Sequence, residues 1–588
     1  MTSGHADSGG QLRSAVEAWI ADDPDPDDRA ELAALLAAGD TGELASRFGE
    51  PLTFGTAGIR GPLCPGPARM NRATVRRVAA GLARYLDQLD ADPAGDGGPD
   101  RPVVIGHDAR RGSPQFAAEA AAVLTGAGRR VLRLIGPVPT PVLAFAVRHL
   151  NAVAGVMVTA SHNPRDDNGV KVYWADGAQI VPPVDTGIAA AAAAAGPLHD
   201  VPLGPPGEFL GDEVTQAYLD AIVAAVPAAG REARPQLRLA YTPLHGVGLA
   251  TVRQGFARAG FSPPAVVAEQ AEPDGAFPTL PKPNPEEPGA LDLLLAEATR
   301  TGADLALAND PDADRLAVAL PEPGAPSGWR VLTGDEIGAL LGDYLIRHTP
   351  AVEQRLLVTT IVSAGLLGEL AAAAGAGYAE TLTGFKWIMR AADDQGPGPS
   401  RRFLFGYEEA LGYAVTDVVR DKDGMSAALA LAGAAAEARS RGQTLTGWLD
   451  AIARRFGQYV TSQFSVELAG GPEAGAALLA AARTAPPLSL LGQPVVAVDD
   501  LGLGLRTRAD GTKDPLTLPR QDAIIWRAAD RTRVAIRPSG TEPKVKIYLQ
   551  VVLPVADDGD LSMAGPIRAQ AARRLADLRQ EVSEVLHL

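Results

Sequence analysis

Short apolar runs rich in Val, Ile and Leu alternate along the chain with longer Ala-rich segments. A short apolar run bounded by turn residues is typical of a buried strand, and a longer segment is typical of a helix. Their alternation is typical of βαβ units, so the pattern predicts an α/β fold with mixed, largely parallel sheets. The clearest predicted strands span 103–105, 153–158, 237–241, 305–308, 356–361 and 403–405.

Three of these strands run directly into polar loops that carry Gly or Pro. The sequence VAGVMV leads into TASHNP, LALA leads into NDPDADR, and RFLF leads into GYEEALGY. In open α/β sheets, ligands bind beyond the carboxyl ends of the strands. The pattern therefore predicts related domains that present these loops to one cleft.

The domain boundaries are predicted from length and punctuation. At about 150 residues per domain, a chain of this size forms roughly four domains. Pro-rich stretches lie at 202–206 and 321–326, and the composition changes after about residue 456. The predicted domains are three α/β domains and a smaller C-terminal α+β domain, at 1–205, 206–330, 331–456 and 457–588.

Composition narrows the classes of function. Hydrophobic residues make up 46% of the chain and charged residues 21%, which excludes whole-chain disorder. The net charge of −16 argues against nucleic acid and anionic membrane as partners. The single cysteine, Cys64, excludes an internal disulfide framework and fits a cytoplasmic protein. No signal peptide is apparent, and no run reaches the roughly eighteen apolar residues of a membrane span.

The loop NDPDADR carries three carboxylates at alternate positions, Asp310, Asp312 and Asp314. Three oxygen ligands converging from an extended loop suit Mg²⁺. An EF-hand is excluded, because Arg315 stands where that loop needs Gly and Pro321 stands where it needs Glu. A solvated acidic turn is the structural alternative.

The loop TASHNP places Ser161 at the end of an apolar strand, where an exposed hydroxyl is expected. A hydrolase elbow is excluded, because Ser161 has no Gly two residues away on either side. His162 is adjacent, but neighbours on a turn rarely point together, so no Ser–His dyad is predicted. Lys171 is a candidate base or charge partner, and a simple polar turn is the alternative.

The segment RPSGTEPK has the composition of a phosphate cradle in an otherwise acidic protein. Arg537 offers a bidentate fork, Ser539 and Thr541 offer hydroxyls, and Gly540 allows close backbone approach to an anion. A hairpin turn with a basic surface is the alternative. The Gly-rich segment GTAGIRG contributes Arg60 as a weaker candidate for phosphate binding.

The segment GYEEALGY is expected to expose Glu408 and Glu409 after a buried strand, where carboxylates can accept hydrogen bonds from sugar hydroxyls.

The motifs TASHNP, DPDADR and RPSGTEPK, in this order, make the chain similar to the α-D-phosphohexomutase superfamily, which contains the phosphoglucomutases and phosphomannomutases. The resemblance covers nearly the whole chain. It implies four domains around a central cleft, of which the fourth closes over the substrate.

The resemblance also implies roles for residues of the first two domains. Ser161 would carry the transferable phosphoryl group and share Mg²⁺ with Asp310, Asp312 and Asp314. The remaining catalytic residues would be Arg60 and Arg315, which stabilise the transferring phosphoryl group, and His162 and Lys171, which assist proton transfer.

For the last two domains, the resemblance implies sugar and phosphate recognition. Glu408 and Glu409 would read the sugar hydroxyls. The loop TGFKWI would add Thr383, Gly384 and Lys386. The clamp for the non-reacting phosphate would consist of Arg537, Ser539, Gly540 and Thr541.

The function predicted from the resemblance is a phosphosugar mutase that interconverts hexose 1-phosphate and hexose 6-phosphate. It would pass through a phosphoserine and a bisphosphorylated sugar, with Mg²⁺ and a priming sugar bisphosphate such as glucose 1,6-bisphosphate. Glucose is favoured and mannose is possible, although Ala410 stands where phosphomannomutases commonly carry Ser. The alternatives are a phosphopentomutase, a non-catalytic sugar-phosphate sensor and a metal-dependent phosphatase. No oligomeric state is predicted.

Overall fold

The computed structural model describes residues 4–54, 58–91, 98, 100–395, 400–467, 471–538, 544–556 and 564–588. The chain divides into two compact units. The first contains Met1–Val226, Arg234–Val331 and Thr416–Ala430, and the second contains Pro227–Ala233, Leu332–Val415 and Leu431–Leu588.

Three helices open the first unit, and they pack on a small core of their own. They are α1 (Gly4–Asp22), α2 (Pro26–Ala38) and α3 (Thr41–Arg47). Asp25 caps α2 by accepting a hydrogen bond from the Asp27 N–H, with Pro26 at the first helical position. The core of this trio contains Val16, Leu32 and Leu44.

A six-stranded mixed sheet follows in the first unit. Its strands are β1 (Ile59–Pro62), β2 (Val103–His107), β3 (Val131–Pro137), β4 (Ala154–Val158), β5 (Asp167–Trp174) and β6 (Glu208–Leu210), in the order β1-β5-β4-β2-β3-β6. The helices in this part of the chain are α4 (Arg72–Ala91), α5 (Ser113–Gly126), α6 (Thr140–His149) and α7 (Val184–Ala193). Strands β4, β2, β3 and β6 are parallel neighbours, whereas β5 is antiparallel to both β4 and β1. Strands β2 and β4 are buried throughout, as their unbroken apolar runs predict.

A five-stranded sheet completes the first unit. Its strands are β7 (Leu239–Thr242), β8 (Ala265–Val266), β9 (Leu305–Ala308), β10 (Ala317–Pro321) and β11 (Trp329–Val331), in the order β11-β10-β9-β7-β8. Its helices are α8 (Glu213–Ala225), α9 (Leu249–Arg258) and α10 (Asp292–Thr301). The Pro-rich stretch 271–291 forms neither helix nor strand.

The second unit contains a four-stranded sheet with parallel central pairing. Its strands are β12 (Arg355–Thr360), β13 (Gly377–Thr381), β14 (Arg402–Glu408) and β15 (Gly412–Ala414), in the order β13-β12-β14-β15. The helices near it in sequence are α11 (Gly334–His348), α12 (Leu366–Ala374), α13 (Phe385–Arg390) and α15 (Leu445–Phe456). The chain passes from the first unit to the second within α14 (Gly424–Ser440).

An antiparallel, β-rich region forms the C-terminal part of the second unit. Its strands are β16 (Gln458–Glu467), β17 (Ser489–Leu490), β18 (Gln493–Asp500), β19 (Leu505–Arg508), β20 (Lys513–Pro515), β21 (Ile524–Ala528), β22 (Arg533–Pro538) and β23 (Lys544–Leu553). Helices α16 (Gly471–Thr484) and α17 (Ala564–Val585) supply apolar residues to its core, which surrounds the fully buried Trp526. Four 3₁₀ segments also occur, at Leu198–Asp200, Arg231–Gln236, Ala268–Gln270 and Val352–Gln354.

The predicted fold class is confirmed: three mixed α/β sheets precede a C-terminal domain dominated by antiparallel strands. Strand β9 has the predicted bounds, and the other five predicted strands are displaced by a few residues at their ends. None of the described helices combines the length and the apolar character that a membrane crossing requires.

Candidate active site

The serine loop after β4 and the acidic loop after β9 meet within the first unit. The Ser161 hydroxyl donates a 2.9 Å hydrogen bond to Asp310 Oδ2. The expectation that the Ser161 hydroxyl is exposed is therefore wrong, because only 1% of Ser161 is exposed. Asp310 of the acidic loop, 149 residues further along the chain, packs against the serine. A local sequence pattern does not show which distant segment will do so.

The prediction that Ser161 and His162 do not point together is also wrong. Ser161 Oγ lies 3.1 Å from His162 Nδ1. Ser161 has a left-handed backbone (φ 53°), so its side chain does not alternate with its neighbour as it would in an extended segment. Burial, followed by the charges of Arg315 and Arg60, holds the pKa of His162 well below its usual value.

The three carboxylates of the acidic loop converge as predicted. Asp310, Asp312 and Asp314 each offer an oxygen within 4.8 Å of the others, and all three side chains are buried. Lys171 donates to Asp312 Oδ2 and to Asp314 Oδ2, at 2.7 Å in each case. Lys422 lies 3.4 Å from the same oxygen of Asp314.

Electrostatics divides these carboxylates into two kinds. Burial, reinforced by the charges of Asp312 and Asp314, raises the pKa of Asp310 well above its usual value. Burial also opposes ionisation of Asp314, but Lys171 and Lys422 outweigh it and hold the pKa of Asp314 below its usual value. Burial opposes the charged form of Lys171, but Asp312 and Asp314 outweigh it and keep the pKa of Lys171 above its usual value. Asp314 and Lys171 are therefore a charged pair.

The residues fit a divalent cation. Oδ1 of Asp312 and Oδ1 of Asp314 are buried and have no hydrogen-bond partner among the described residues. Buried anionic oxygens are costly without a partner, and hard cations such as Mg²⁺ take carboxylate oxygens as ligands. The buried triad has the donor set of a metal site.

Two arginines, Arg60 and Arg315, lie beside the triad. Arg60 Nη1 lies 3.3 Å from Asn163 Oδ1 in the serine loop, and burial lowers the pKa of Arg60 although Asp312 and Asp314 oppose that shift. The Arg315 guanidinium lies 4.0 Å from Asp314. The backbone N–H of Arg315 donates to Asp310 Oδ1 at 2.9 Å.

Sequence reasoning missed the contribution of the segment RDKDGM. Lys422 reaches Asp314, and Asp421 beside it accepts hydrogen bonds from the Tyr173 hydroxyl (2.6 Å) and from Gln179 (2.7 Å). The signal was present, since this segment is the only run of alternating acids and bases directly before an Ala-rich helix in the part of the chain that the structure describes. Its target in the acidic loop is not visible in the sequence.

The second unit gathers the predicted recognition residues. Strands β13, β12 and β14 are parallel, so the loops that follow them lie at one edge of the sheet. Thr383, Gly384 and Lys386 follow β13, and Glu408 ends β14. Arg537 at the end of β22 donates to the Thr383 hydroxyl.

Part of the predicted phosphate clamp lies outside the described residues, namely Ser539, Gly540 and Thr541. Within the described residues, Arg537 Nε is buried and has no hydrogen-bond partner. The Arg537 side chain also hydrogen-bonds to Tyr548, whose pKa is raised by burial and then by the charge of Glu409. The charge of Glu408 raises the pKa of Tyr548 as well.

The expected exposure of Glu408 and Glu409 is wrong, because both are half-buried. Glu409 accepts hydrogen bonds from the hydroxyls of Ser363 (2.9 Å) and Thr360 (3.3 Å). Burial, with the charges of Glu408 and Asp335, raises the pKa of Glu409 to about 7. Sequence reasoning missed Thr360 and Ser363, although they mark one more polar loop at the end of an apolar strand.

Comparison with known families follows the same division of the chain. Residues 51–197 match the description "Phosphoglucomutase/phosphomannomutase, alpha/beta/alpha domain I". Residues 216–324 match domain II and residues 333–456 match domain III of that family. A protein of Haemophilus influenzae named "Probable phosphomannomutase" is 40% identical over 82% of this chain and 92% of its own length. The chain belongs to the phosphoglucomutase/phosphomannomutase family.

Other relatives in the phosphoglucomutase/phosphomannomutase family carry different names. A phosphoglucomutase of Staphylococcus epidermidis is 36% identical over 85% of this chain and 90% of its own length. A human phosphopentomutase is 34% identical over 88% of each chain. These proteins establish an enzyme of the intramolecular phosphotransferase class, a mutase of phosphosugars, and their names leave the sugar open.

The fold agrees with this membership. A phosphoglucomutase/phosphomannomutase family protein from Burkholderia thailandensis has a TM-score of 0.64 at 20% identity, over 90% of this chain and 97% of its own. The α-D-phosphohexomutase resemblance inferred from the motifs is confirmed.

Proposed function

We propose that this chain is a Mg²⁺-dependent phosphosugar mutase that interconverts hexose 1-phosphate and hexose 6-phosphate, with glucose as the preferred sugar. The observation that carries the proposal is the 2.9 Å contact of Ser161 Oγ with Asp310, in a triad with two buried oxygens that have no hydrogen-bond partner in the described part of the chain. A hydroxyl beside such a site is suited to carry a phosphoryl group.

The metal would be held by Asp310, Asp312, Asp314 and Ser161. Mg²⁺ bound there would neutralise charge on the oxygens of the transferring phosphoryl group. Support for this role comes from the orphaned Oδ1 atoms of Asp312 and Asp314, both of which are buried.

The charged groups around Ser161 would position the phosphoryl group and manage its protons. Arg60 and Arg315 would bind the phosphoryl oxygens, because their guanidinium groups lie beside the serine loop and the acidic loop. His162 would hold and return the proton of the Ser161 hydroxyl across 3.1 Å. Lys171 would compensate the charge of Asp312 and Asp314, since it donates to both.

Recognition of the rest of the substrate belongs to the second unit in this proposal. Glu408 and Glu409 would accept hydrogen bonds from sugar hydroxyls, helped by Thr383, Gly384 and Lys386. Arg537 would bind the phosphate that does not react, with Ser539, Gly540 and Thr541. The buried Nε of Arg537 supports this assignment, because it needs an acceptor.

The division of labour among domains is part of the proposal. Domain 1 (1–205) would supply the phosphoserine, domain 2 (206–330) the metal ligands, domain 3 (331–456) sugar recognition, and domain 4 (457–588) the phosphate clamp.

The reaction consists of two phosphoryl transfers. The bond from phosphorus to the Ser161 oxygen breaks as a bond forms from phosphorus to a sugar hydroxyl oxygen, and the proton of that hydroxyl passes to the Ser161 oxygen with His162 as its carrier. The product is a sugar bisphosphate. In the second transfer, the bond from its other phosphorus to the sugar oxygen breaks as a bond forms to the Ser161 oxygen, whose proton passes to the sugar oxygen through His162. A sugar bisphosphate such as glucose 1,6-bisphosphate would therefore also prime the unmodified enzyme.

The choice of sugar rests on the loops and on the names of relatives. Ala410 in GYEEALGY differs from the Ser common in phosphomannomutases, which favours glucose over mannose. The human phosphopentomutase aligns over 88% of this chain, which makes ribose or deoxyribose 1-phosphate the second candidate.

The first test is Ser161→Ala. Intact-mass measurement should find one added phosphoryl group on the wild-type protein after incubation with glucose 1,6-bisphosphate, and none on Ser161→Ala. Turnover should fall by at least about 10³-fold, because the group that carries the phosphoryl is absent. Ser262→Ala, which changes an exposed serine of the same unit, should keep both properties. Wild-type turnover in Ser161→Ala would refute the proposal.

The second test compares kcat/KM for glucose 1-phosphate, mannose 1-phosphate and ribose 1-phosphate in coupled assays. A preference for glucose 1-phosphate supports the choice of sugar, and a large preference for ribose 1-phosphate replaces it with the pentose. Continuous release of inorganic phosphate would point to a phosphatase, and binding without turnover would point to a sensor.

A further inference from the structure

Arg110 is a fully buried arginine whose guanidinium donates hydrogen bonds to the backbone of the serine loop. It lies in the connection between β2 and α5, and only 1% of it is exposed. Its Nη2 donates to the carbonyl oxygens of Ser161 (2.7 Å) and Asn163 (2.6 Å). Its Nη1 donates to those of Pro164 (2.7 Å) and Asp167 (3.1 Å). One side chain therefore binds four carbonyl groups of the loop that carries Ser161.

The guanidinium is itself fixed from two sides. Asp108 accepts from the Arg110 backbone N–H at 3.0 Å and lies 3.5 Å from its Nε. The ring of Phe277, in the Pro-rich stretch, lies 4.9 Å from the guanidinium carbon. Gly275 permits this close packing, because a Cβ there would lie 2.6 Å from the carbonyl oxygen of Ala109. Arg110 is a rigid clamp.

Asp108 links the clamp to the reactive residue by a second route. Its Oδ2 accepts from the Thr159 hydroxyl at 2.6 Å, and the same hydroxyl accepts from the Ser161 N–H at 2.9 Å. Both the N–H and the C=O of Ser161 are therefore held by one buried network. A left-handed backbone at a residue other than Gly is strained and persists only where surrounding contacts impose it. This network supplies those contacts at Ser161.

We propose that Arg110 is a positioning residue for phosphoryl transfer, which fixes the direction of the Ser161 hydroxyl relative to the acidic triad. The inference rests on the proposed role of Ser161. Among the described residues, the hydrogen bonds of the Arg110 guanidinium all go to main-chain carbonyl oxygens of residues 161–167. Its loss therefore slows the transfer and leaves substrate affinity unchanged.

The test is Arg110→Lys, which keeps the charge. An ammonium lacks the planar fork, so it cannot bind four carbonyls in this geometry. A displacement of about 1 Å at the reacting atom costs roughly 10²-fold in rate. We expect kcat per phosphorylated molecule, counted by intact mass, to fall about 100-fold with KM for glucose 1-phosphate within about threefold of wild type. A kcat within threefold of wild type, or a loss confined to KM, overturns the inference.

Arg129→Lys is the matched control. Arg129 is also buried, with 6% of it exposed, and pairs with Asp87 and Asp90, but it precedes β3 at the opposite end of the same sheet. Its substitution should lower the melting temperature without changing kcat per phosphorylated molecule. If Arg110→Lys yields no folded protein, Phe277→Leu decides, with an expected fall in kcat of about tenfold at unchanged KM and an unchanged kcat overturning the inference.

These outcomes separate the inference from the proposed function. If Ser161→Ala stays active, the proposed function fails. If Ser161→Ala is inactive and Arg110→Lys turns over at the wild-type rate, only the positioning role of Arg110 fails.

Discussion

At the scale of single residues, the molecule buries ionisable groups that would ordinarily be exposed to water. Asp312 and Asp314 are tolerated as charged groups in a buried site because Lys171 pairs with both of them and Lys422 lies beside Asp314. The sequence motif identifies which residues are acidic. Their burial and their lysine partners come from segments more than a hundred residues away.

Glu409 offers a residue-scale prediction that does not involve the metal site. Its pKa of about 7 exceeds the ordinary glutamate value, so the folded state holds a proton that the unfolded state has lost. The stability that protonated Glu409 contributes is therefore lost as the pH rises from the ordinary pKa of glutamate toward about 7. Glu409→Gln should be more stable than wild type at pH 8.5 by on the order of 1–3 kcal/mol, and nearly equal to it at pH 5.

Urea unfolding at the two pH values measures this difference. Glu353→Gln changes an exposed glutamate of the same unit and should leave the gap between the two pH values unaltered. An equal stability change at both pH values in Glu409→Gln would contradict the assignment.

At the scale of elements, close backbone packing joins the start of α14 to the acidic loop. A Cβ at Gly424 would lie 2.2 Å from the Arg315 carbonyl oxygen and 2.5 Å from Asn309 Nδ2. The Gly424 N–H also lies 3.2 Å from the Ala313 carbonyl oxygen. The helix start therefore fixes the backbone on which Asp310, Asp312 and Asp314 are mounted.

We predict that Gly424→Ala destabilises the protein by about 1–3 kcal/mol and lowers turnover, because the backbone around the acidic loop must move. Gly255→Ala is the matched change, since Gly255 lies inside α9 and its added Cβ would meet only ordinary contacts at 3.5 Å or more. It should stabilise the protein by roughly 0.5–1 kcal/mol at unchanged turnover. Thermal unfolding and initial rates of the two variants check this contrast, and equal behaviour would contradict it.

At the scale of the whole molecule, the two compact units carry different parts of the chemistry. The serine, the acidic triad and their charged partners all lie in the first unit, whereas Glu408, Glu409 and Arg537 lie in the second. Each unit has its own sheets and its own buried core. Ligands of the two groups should therefore stabilise different parts of the protein.

Removal and return of Mg²⁺ tests this division. Calorimetry with EDTA and then with excess Mg²⁺ should show stabilisation of the transition that belongs to the first unit, by about 2.7 kcal/mol at a concentration 100-fold above Kd. EDTA should also abolish turnover, and Mg²⁺ should restore it. Asp314→Asn should lose the stabilisation. No shift of any transition on adding Mg²⁺ would contradict the metal site.

Local hydrophobic periodicity and short motifs predicted the fold class, six of the strands to within a few residues and the residue types of the site. The motifs named Ser161, the acidic triad and Arg537 as candidate groups. Contacts between segments far apart in the chain, which the folded structure shows, bury Ser161, bring His162 toward it and pair Lys171 with two of the carboxylates. The sequence motifs did not identify Arg110 and Lys422 as residues of the site, for the same reason. Burial and charge pairing are set by segments far apart in the chain, and a local pattern carries no record of which distant segment will cover it.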